Sequence, residues 1–452
     1  MAEATELEQI ISLDRVRETD PQVWELAHRE ARKQAAQIRL IPSENYASAA
    51  VLEALATAFS NKYSEGYPGE NKRYYEGQEY VDQIETLAIE RLRGLFGCDH
   101  ANVQPYSGSP ANLAVYFALL KPGDTVMGLD LPMGGHLTHG WKANFSGMLY
   151  HSEAYSADPE TGMLDYDQIR DQARRVRPKL IIAGATAYPR QFDFAAFGEI
   201  AREVDAYFLA DIAHINGLIV GGVHPDPVPH ADVVSSTSHK MLRGPRGGFL
   251  MCKDRPIHGI AGADAEKAVN RLPRRIDRAV FPNLQGGPHE NTIAALAVAL
   301  EEASRPDFRD YAAQVVANAH CLAEELLGYG FHLITGGTDN HLILMDMMKG
   351  FGIPGWRFAK TLYAAGIETN KNSVPNDSLS PFKPSGVRIG APAVTTRGMK
   401  EPEMRQIARW FKELAGAMRG EELVDEDTVR RVAGEVRELT GSGRFPVPGI
   451  EC

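Results

Sequence analysis

Five short apolar runs, DTVMGLD, KLIIAGAT, AYFLADIAH, ADVVSSTSHK and GGFLMC, lie between about Asn102 and Cys252 with helical stretches between them. A continuous apolar run, unlike an alternating one, marks a strand buried on both faces, and strands joined through helices run parallel. The pattern therefore predicts an α/β fold built on a mostly parallel central sheet with helices on both sides. Ligands of such sheets collect beyond the carboxyl ends of the strands. The polar residues that follow these runs are thus the candidates for chemistry.

Beyond Ala294 the pattern changes to a long helix, a strand pair around His332 to Met347, and a helix from Glu403 onward. In that helix Met404, Ile407, Phe411, Leu414 and Met418 recur at three- or four-residue spacing, an apolar face that must pack on something. The last helix carries Val429, Val432, Val436 and Leu439 on one side. Together these predict a smaller α+β C-terminal domain. The expected division is an N-terminal arm over 1–40, a large domain over 41–293 and a small one over 294–452. The polar, Pro-containing stretch from Arg271 to Pro288 is nearest in character to a linker.

A chain of 452 residues, 44% hydrophobic, is long enough for two or three domains. Its formal net charge of -11 disfavours nonspecific attraction to nucleic acid or anionic membrane and favours a small soluble substrate. Cys98, Cys252, Cys321 and Cys452 are far apart and form no CxxC, so neither a disulfide framework nor a zinc cluster is expected. The N-terminal stretch MAEATELEQIISLDRVRETD lacks the basic start and apolar core of a signal peptide, and no segment approaches membrane-spanning length. A cytoplasmic location is expected, with neither nucleic acid nor membrane as partner.

Six segments carry candidate chemistry. In SSTSHKMLRGPRGG, residues 235–248, a β-branched strand runs into Lys240, flanked by His239 and followed by Arg243, Arg246 and glycines. A lysine must lose its proton to attack a carbonyl, and burial beside cations lowers its pKa. Taken alone, Lys240 reads as a solvated surface lysine; the buried strand before it and the arginines and glycines after it reverse that reading. Asp211 ends the run AYFLAD; it either caps the next helix or holds a buried cation such as a protonated pyridine nitrogen, which would make that ring an electron sink. In YSGSPANLAVYFALL, Ser107, Gly108 and Ser109 precede a helix whose free N–H groups suit a phosphate, with Pro110 fitting the first helical position. GGHLTHG spaces His136 and His139 three apart without a nearby acid or cysteine, so a metal is not expected and a ring stacked on a planar cofactor is. Arg388, on a glycine-bounded strand, has the shape for a bidentate grip on a carboxylate. Tyr63, Glu65, Tyr74 and Tyr75 offer groups suited to proton transfer.

These segments together resemble serine hydroxymethyltransferase, also called glycine hydroxymethyltransferase, of the fold-type I (aspartate aminotransferase-like) class of pyridoxal-phosphate enzymes. The likeness runs from about Leu40 to Gly398 through IPSEN, NKYSEGYP, RYY, NVQPYSGSPAN, GGHLTHG, AGATAYPR, DIAH, STSHKMLRGPRGG, LQGGPHE, NKNSVP and SGVRIGAPAVTTRG. The resemblance implies pyridoxal 5'-phosphate as cofactor and tetrahydrofolate as co-substrate, in one-carbon metabolism. It implies Lys240 as the cofactor-binding lysine, Asp211 on the pyridine nitrogen and His136 stacked on the ring. Ser107, Gly108, Ser109 and His239 would contact the phosphate region, and Thr186, His214 and Thr237 would line the ring. Gly287 and Tyr63 would reach the phosphate from the neighbouring subunit of a homodimer, with a tetramer left open. Ser43, His214 and Arg388 would hold the substrate carboxylate, and Glu65 and Tyr75 of the partner chain would act at the substrate hydroxyl. Leu131, Gly135, Leu137 and Asn372 would bind the folate along with Glu65.

The implied reaction moves the hydroxymethyl carbon of serine to tetrahydrofolate, giving glycine and 5,10-methylene-tetrahydrofolate. The chain departs from the family pattern where ENK lengthens YPGENKRYYEG, at Glu76 for a usual glycine, at Tyr106 and Pro110 around the phosphate turn, and at Asn216 for a small alanine. A hydroxymethyltransferase for α-methylserine and a folate-independent aldolase for threonine-like 3-hydroxy amino acids remain open alternatives, as does a catalytically silent binding protein.

Overall fold

The computed structural model describes residues 8–9, 13–70, 72–419, 422–423 and 425–451. Two compact units divide the chain: Glu53–Arg309, and Met1–Leu52 together with Asp310–Cys452. The sequence-based boundaries after 40 and 293 sit earlier on the chain, for two local reasons. The strand Ile38–Arg39 pairs in parallel with Ile367–Glu368, and the Gly390 N–H donates to the Leu40 carbonyl at 2.8 Å, which ties the segment past 40 to C-terminal strands. Helix Glu290–Ala303 packs along helix Glu79–Phe96, which holds the residues past 293 in the first unit.

The unit Glu53–Arg309 is built on seven strands: β1 His100–Asn102, β2 Thr125–Leu129, β3 His151–Tyr155, β4 Leu180–Ala183, β5 Tyr207–Asp211, β6 Val233–Thr237 and β7 Gly248–Cys252. Their order is β1-β7-β6-β5-β4-β2-β3. The pairs from β6 through β3 are parallel, and β7 is antiparallel to both β6 and β1. All five apolar runs become strands. In β5, Leu209 belongs to a core cluster with Val115 and Tyr116 of helix α1 (Gly108–Leu119), while its neighbour Phe208 stacks on Phe197 of helix Phe194–Glu203 at 5.9 Å on the other face. Successive strand residues point to opposite faces. Both faces of β5 are therefore covered, which is why it reads as an unbroken apolar run.

The stretch from Arg271 to Pro288 is not a linker. It forms helix Leu272–Arg278 and a wider turn over Ala279–Leu284, and Leu272, Ile276, Ala279 and Val280 are buried in the same core cluster as α1. Its arginines and prolines mask an apolar face at helical spacing.

The other unit contains a four-stranded antiparallel sheet of β8 His332–Leu333, β9 Leu342–Asp346, β10 Asn370–Asn372 and β11 Gly386–Gly390, ordered β8-β9-β11-β10. Helix Glu401–Gly416 buries Met404, Ile407, Phe411 and Leu414, whereas Met418 lies beyond its end in a short strand, Met418–Arg419. Helix Glu426–Thr440 buries Val429, Val432 and Val436, with Leu439 only half-buried. Cys98, Cys252 and Cys321 are unbridged thiols, and Cys452 lies outside the described residues.

Candidate active site

A cavity of about 240 Å³ opens beyond the carboxyl ends of β4, β5 and β6. Ser107, Gly108, Ser109, His136, Thr186, Asp211, His214, Thr237, His239 and Lys240 line it, all singled out from the sequence. Asn112, His139 and Arg246 line it as well. Each strand stops at the cavity and delivers its next polar residues there: Asp211 ends β5, three residues before His214, and Thr237 ends β6, three residues before Lys240.

One end of the cavity is organised around Asp211. Its Oδ2 accepts from Asn112 Nδ2 and from His139 Nε2, both at 2.9 Å, and its Oδ1 accepts from the Ala213 N–H at 3.1 Å. Burial alone would push this carboxyl up. The hydrogen bonds from His139 and from the Asn112 amide outweigh burial and hold it well below the ordinary carboxylate range. The site thus keeps a buried anion with three donors around it.

The tautomer of His139 follows from its partners. The His136 main-chain N–H donates to His139 Nδ1 at 3.2 Å, so the ring proton sits on Nε2 and points at Asp211. The sequence showed no acid near the two histidines, yet the fold brings Asp211 to them, with one ligand atom of each residue within 4.8 Å of the others. A protonated Nε2 is not a metal ligand, so this trio is a hydrogen-bonded pair with a neighbour. Burial, above all, pushes His136 down to about 4. Its ring is neutral at physiological pH and its Nδ1 accepts from the Thr138 N–H at 3.2 Å.

The opposite character appears at the start of α1. Ser107 is its N-cap in extended backbone and makes no side-chain cap bond, so the first N–H groups of the helix are not closed off by it. Gly108 is required there: a Cβ would sit 2.8 Å from the Thr237 methyl. Pro110 is the third helical residue rather than the first, because the helix begins at Gly108; it still falls in the first turn, where no intrahelical N–H is needed. Burial, then Lys240 and Arg246, push His239 down to about 4. Helix N-terminus, two serine hydroxyls and Arg246 make an anion cradle.

A phosphorylated pyridine aldehyde matches this donor set: an anion cradle at one end, an ionised carboxylate at the other, and a lysine in the wall between. Asn216 is fully buried near the same strand end, where its amide donates to Ser236 Oγ at 2.8 Å and the Thr237 carbonyl at 2.6 Å. The larger side chain is accommodated by pinning the strand that carries Thr237.

The remaining predicted residues fall in three places. Leu131, Gly135 and Leu137 share the loop after β2; Gly135 admits no side chain, since a Cβ would lie 2.0 Å from the Leu129 carbonyl, and its own carbonyl accepts from Thr186 Oγ1 at 3.1 Å. Tyr63, Glu65, Tyr75 and Gly287 form a cluster that does not line the cavity. Tyr63 packs edge-on to Tyr75 at 5.4 Å, a Cβ on Gly287 would touch the Tyr63 ring, and one on Gly286 would lie 3.1 Å from Glu65 Oε1. Tyr106 closes this cluster, donating its hydroxyl to the Gly287 carbonyl at 2.8 Å and stacking on His289.

Ser43, Asn372 and Arg388 belong to the other unit. There Arg388 is buried on β11, donates from Nε to Asn370 Oδ1 at 3.0 Å, and is pushed down to about 10 by burial. Pro42 lies against Gly390 of the same strand, which sets the chain entering Ser43 beside it.

Sequence reasoning missed Asn112 altogether. It stands four residues after Gly108 on α1 and therefore on the same helical face, so the helical phase alone could have found it.

The fold and this donor set define the class: a fold-type I pyridoxal-phosphate enzyme. The family model for serine hydroxymethyltransferase matches residues 16–411. A serine hydroxymethyltransferase of Acidothermus cellulolyticus is 58% identical over 434 residues, covering 96% of this chain and 97% of that one. Serine hydroxymethyltransferase 2 of Mesorhizobium japonicum is 54% identical over 433 residues, 96% of each chain, and a serine hydroxymethyltransferase of Sorangium cellulosum is 53% identical over 442 residues, 98% of each. The chain belongs to the serine hydroxymethyltransferase family, whose members depend on pyridoxal phosphate and use tetrahydrofolate as co-substrate. No helix among the described residues is long and apolar enough to cross a membrane.

Proposed function

We propose that this protein transfers the hydroxymethyl carbon of serine to tetrahydrofolate, giving glycine and 5,10-methylene-tetrahydrofolate, as a cytoplasmic homodimer. The observation that carries the reading is the single cavity in which Lys240, the Asp211 anion and the α1 N-terminus converge, in a chain more than half identical to named serine hydroxymethyltransferases. When bound, pyridoxal phosphate supplies an electron sink for the bond broken at the substrate Cα.

In this reading Lys240 tethers the cofactor. Ser107, Gly108, Ser109 and His239 hold its phosphate, and Asp211 keeps its ring nitrogen protonated. His139 and Asn112 keep Asp211 ionised and aimed. The neutral ring of His136 stacks on the cofactor, and Thr186, His214 and Thr237 line it. Arg388, with Ser43 and His214, grips the amino-acid carboxylate. Leu131, Gly135, Leu137 and Asn372, together with Glu65, hold the folate. The unit Glu53–Arg309 serves as the cofactor-binding domain and residues 310–452 as the smaller domain.

The cluster of Tyr63, Glu65, Tyr75 and Gly287 supports a shared site. Tyr63 and Tyr75 are 58% and 40% exposed, an unusual surface for adjoining aromatic rings and one suited to completing a partner's cavity. Glu65 acts there as the proton-transfer group at the substrate hydroxyl. Glu65→Gln preserves size but not proton exchange, and general acid–base help is worth about 10²–10⁴-fold. Serine turnover with tetrahydrofolate is expected to fall by that order, while cleavage of allo-threonine, whose larger aldehyde leaves without folate capture, persists. The check is the ratio of the two rates in variant and parent; equal losses would remove Glu65 from the transfer step.

A further inference from the structure

The loop that carries Glu65 is held by a buried ionic cluster. Arg73, its side chain 4% exposed, uses every nitrogen of its guanidinium: Nε donates to Asp82 Oδ1 at 2.9 Å and Nη2 to Glu85 Oε2 at 2.6 Å, while Nη1 donates to the carbonyls of Ser64 at 2.8 Å and Gly66 at 3.1 Å. Those two carbonyls flank Glu65. Its own carbonyl accepts from the Tyr74 N–H at 2.9 Å, and the carbonyl before Ser64, that of Tyr63, accepts from Gln78 Nε2 at 3.1 Å. Gln104 Nε2 bridges the Gly66 carbonyl and Glu85 Oε1, both at 2.8 Å, and Ser64 Oγ donates to the buried Glu290 at 2.5 Å. Four successive carbonyls, 63 to 66, are thus fixed from below by side chains or by the pairing strand.

We propose that Arg73 is a positioning residue for the transfer step: seated on Glu85 and Asp82, it fixes the main chain on both sides of Glu65 and so sets where that carboxylate stands. The inference rests on the reading of Glu65 given above. It also accounts for the extra ENK residues. Gly66 and Arg73 form an antiparallel bridge, and the added residues fall inside the loop that this bridge closes, so the lengthening leaves the Glu65–Tyr74 pairing intact. Within that loop Asn71 lies outside the described residues. An arginine is needed because carbonyls on one side and carboxylates on the other are reached at once only by a planar fork; an ammonium offers its three donors from a single atom.

The test is a double-substitution cycle on the holoenzyme, using Arg73→Lys and Glu65→Gln, with amide hydrogen exchange over residues 63–66. Misplacing a reacting group by about 1 Å costs on the order of 10²-fold. Arg73→Lys is therefore expected to lower serine turnover with tetrahydrofolate by roughly that factor, to lower allo-threonine cleavage less than about 3-fold, and to add little to the loss in a Glu65→Gln background. Exchange over 63–66 rises while α1 stays protected. Equal losses in both reactions, a fully additive cycle, or unchanged exchange over 63–66 overturns the proposal. Should Arg73→Lys fail to fold, Glu85→Gln, which removes one carboxylate seat while keeping its size, takes its place with the same expected outcomes. A Glu65→Gln enzyme with an unaltered rate ratio would instead overturn the reading of Glu65, a result the exchange data separate from failure of the clamp.

Discussion

Lys240→Gln is expected to abolish serine turnover while leaving the fold intact. Lys240 is the amine that the cavity offers between the α1 N-terminus and Asp211, and a glutamine amide in its place has no nucleophilic lone pair. Borohydride reduction should fix the cofactor covalently to the parent but not to the variant, and circular dichroism should show the same secondary structure in both. Multiple turnover by Lys240→Gln at an appreciable fraction of the parent rate would mean that another group tethers the cofactor.

Asp211→Asn is expected to lower kcat by about 10²-fold or more at saturating cofactor. Two donors, Asn112 Nδ2 and His139 Nε2, converge on Oδ2, and the Ala213 N–H takes Oδ1. An asparagine amide can accept on one side only, so its NH2 meets either the Ala213 N–H or both the Asn112 and His139 donors, and the negative charge facing the ring nitrogen is gone. A hydrogen bond to a charged group contributes about 1.5–3 kcal/mol, which corresponds to about 10–150-fold in rate for each one lost. Steady-state kinetics with added cofactor measures the loss. An unchanged kcat would show that Asp211 is an ordinary structural acid.

The parts of this architecture that were legible are those where burial dictates residue type. Strands β2, β4, β5 and β7 are buried and written almost wholly in apolar residues, and the polar residues that line the cavity, such as Asp211 and Lys240, stand where the apolar runs end. The edge strands β1 and β3 were not legible. In β3, His151, Ser152, Glu153 and Ala154 are exposed, so no apolar pattern marks it. The Arg271–Pro288 segment misled in the opposite sense, because its helix buries one narrow stripe, Leu272 and Ile276, beneath a basic face. Met418 continued the apolar spacing of helix Glu401–Gly416 past its end, since a buried residue in the following strand satisfies the same pattern.

Within the cavity, the residues with charged or reactive side chains stood out by type, whereas those that hold them in place did not. Asn112 looks like any helix residue until Asp211, 99 positions away, is brought against it. Arg73 belonged to the recognisable RYY segment, but its hold on the Ser64 and Gly66 carbonyls depends on a hairpin closure that no local spacing announces. Contacts across such sequence separations are set by tertiary packing and leave no periodic trace.

The central claim is that serine is cleaved for the benefit of tetrahydrofolate, and its most direct test is the parent enzyme's rate on serine, allo-threonine and α-methylserine, each with and without tetrahydrofolate. The account predicts rapid glycine and methylene-tetrahydrofolate formation from serine that collapses when folate is left out, folate-independent cleavage of allo-threonine, and slower reaction of α-methylserine. Serine cleavage at the same rate without folate, or α-methylserine as the preferred donor, would contradict it.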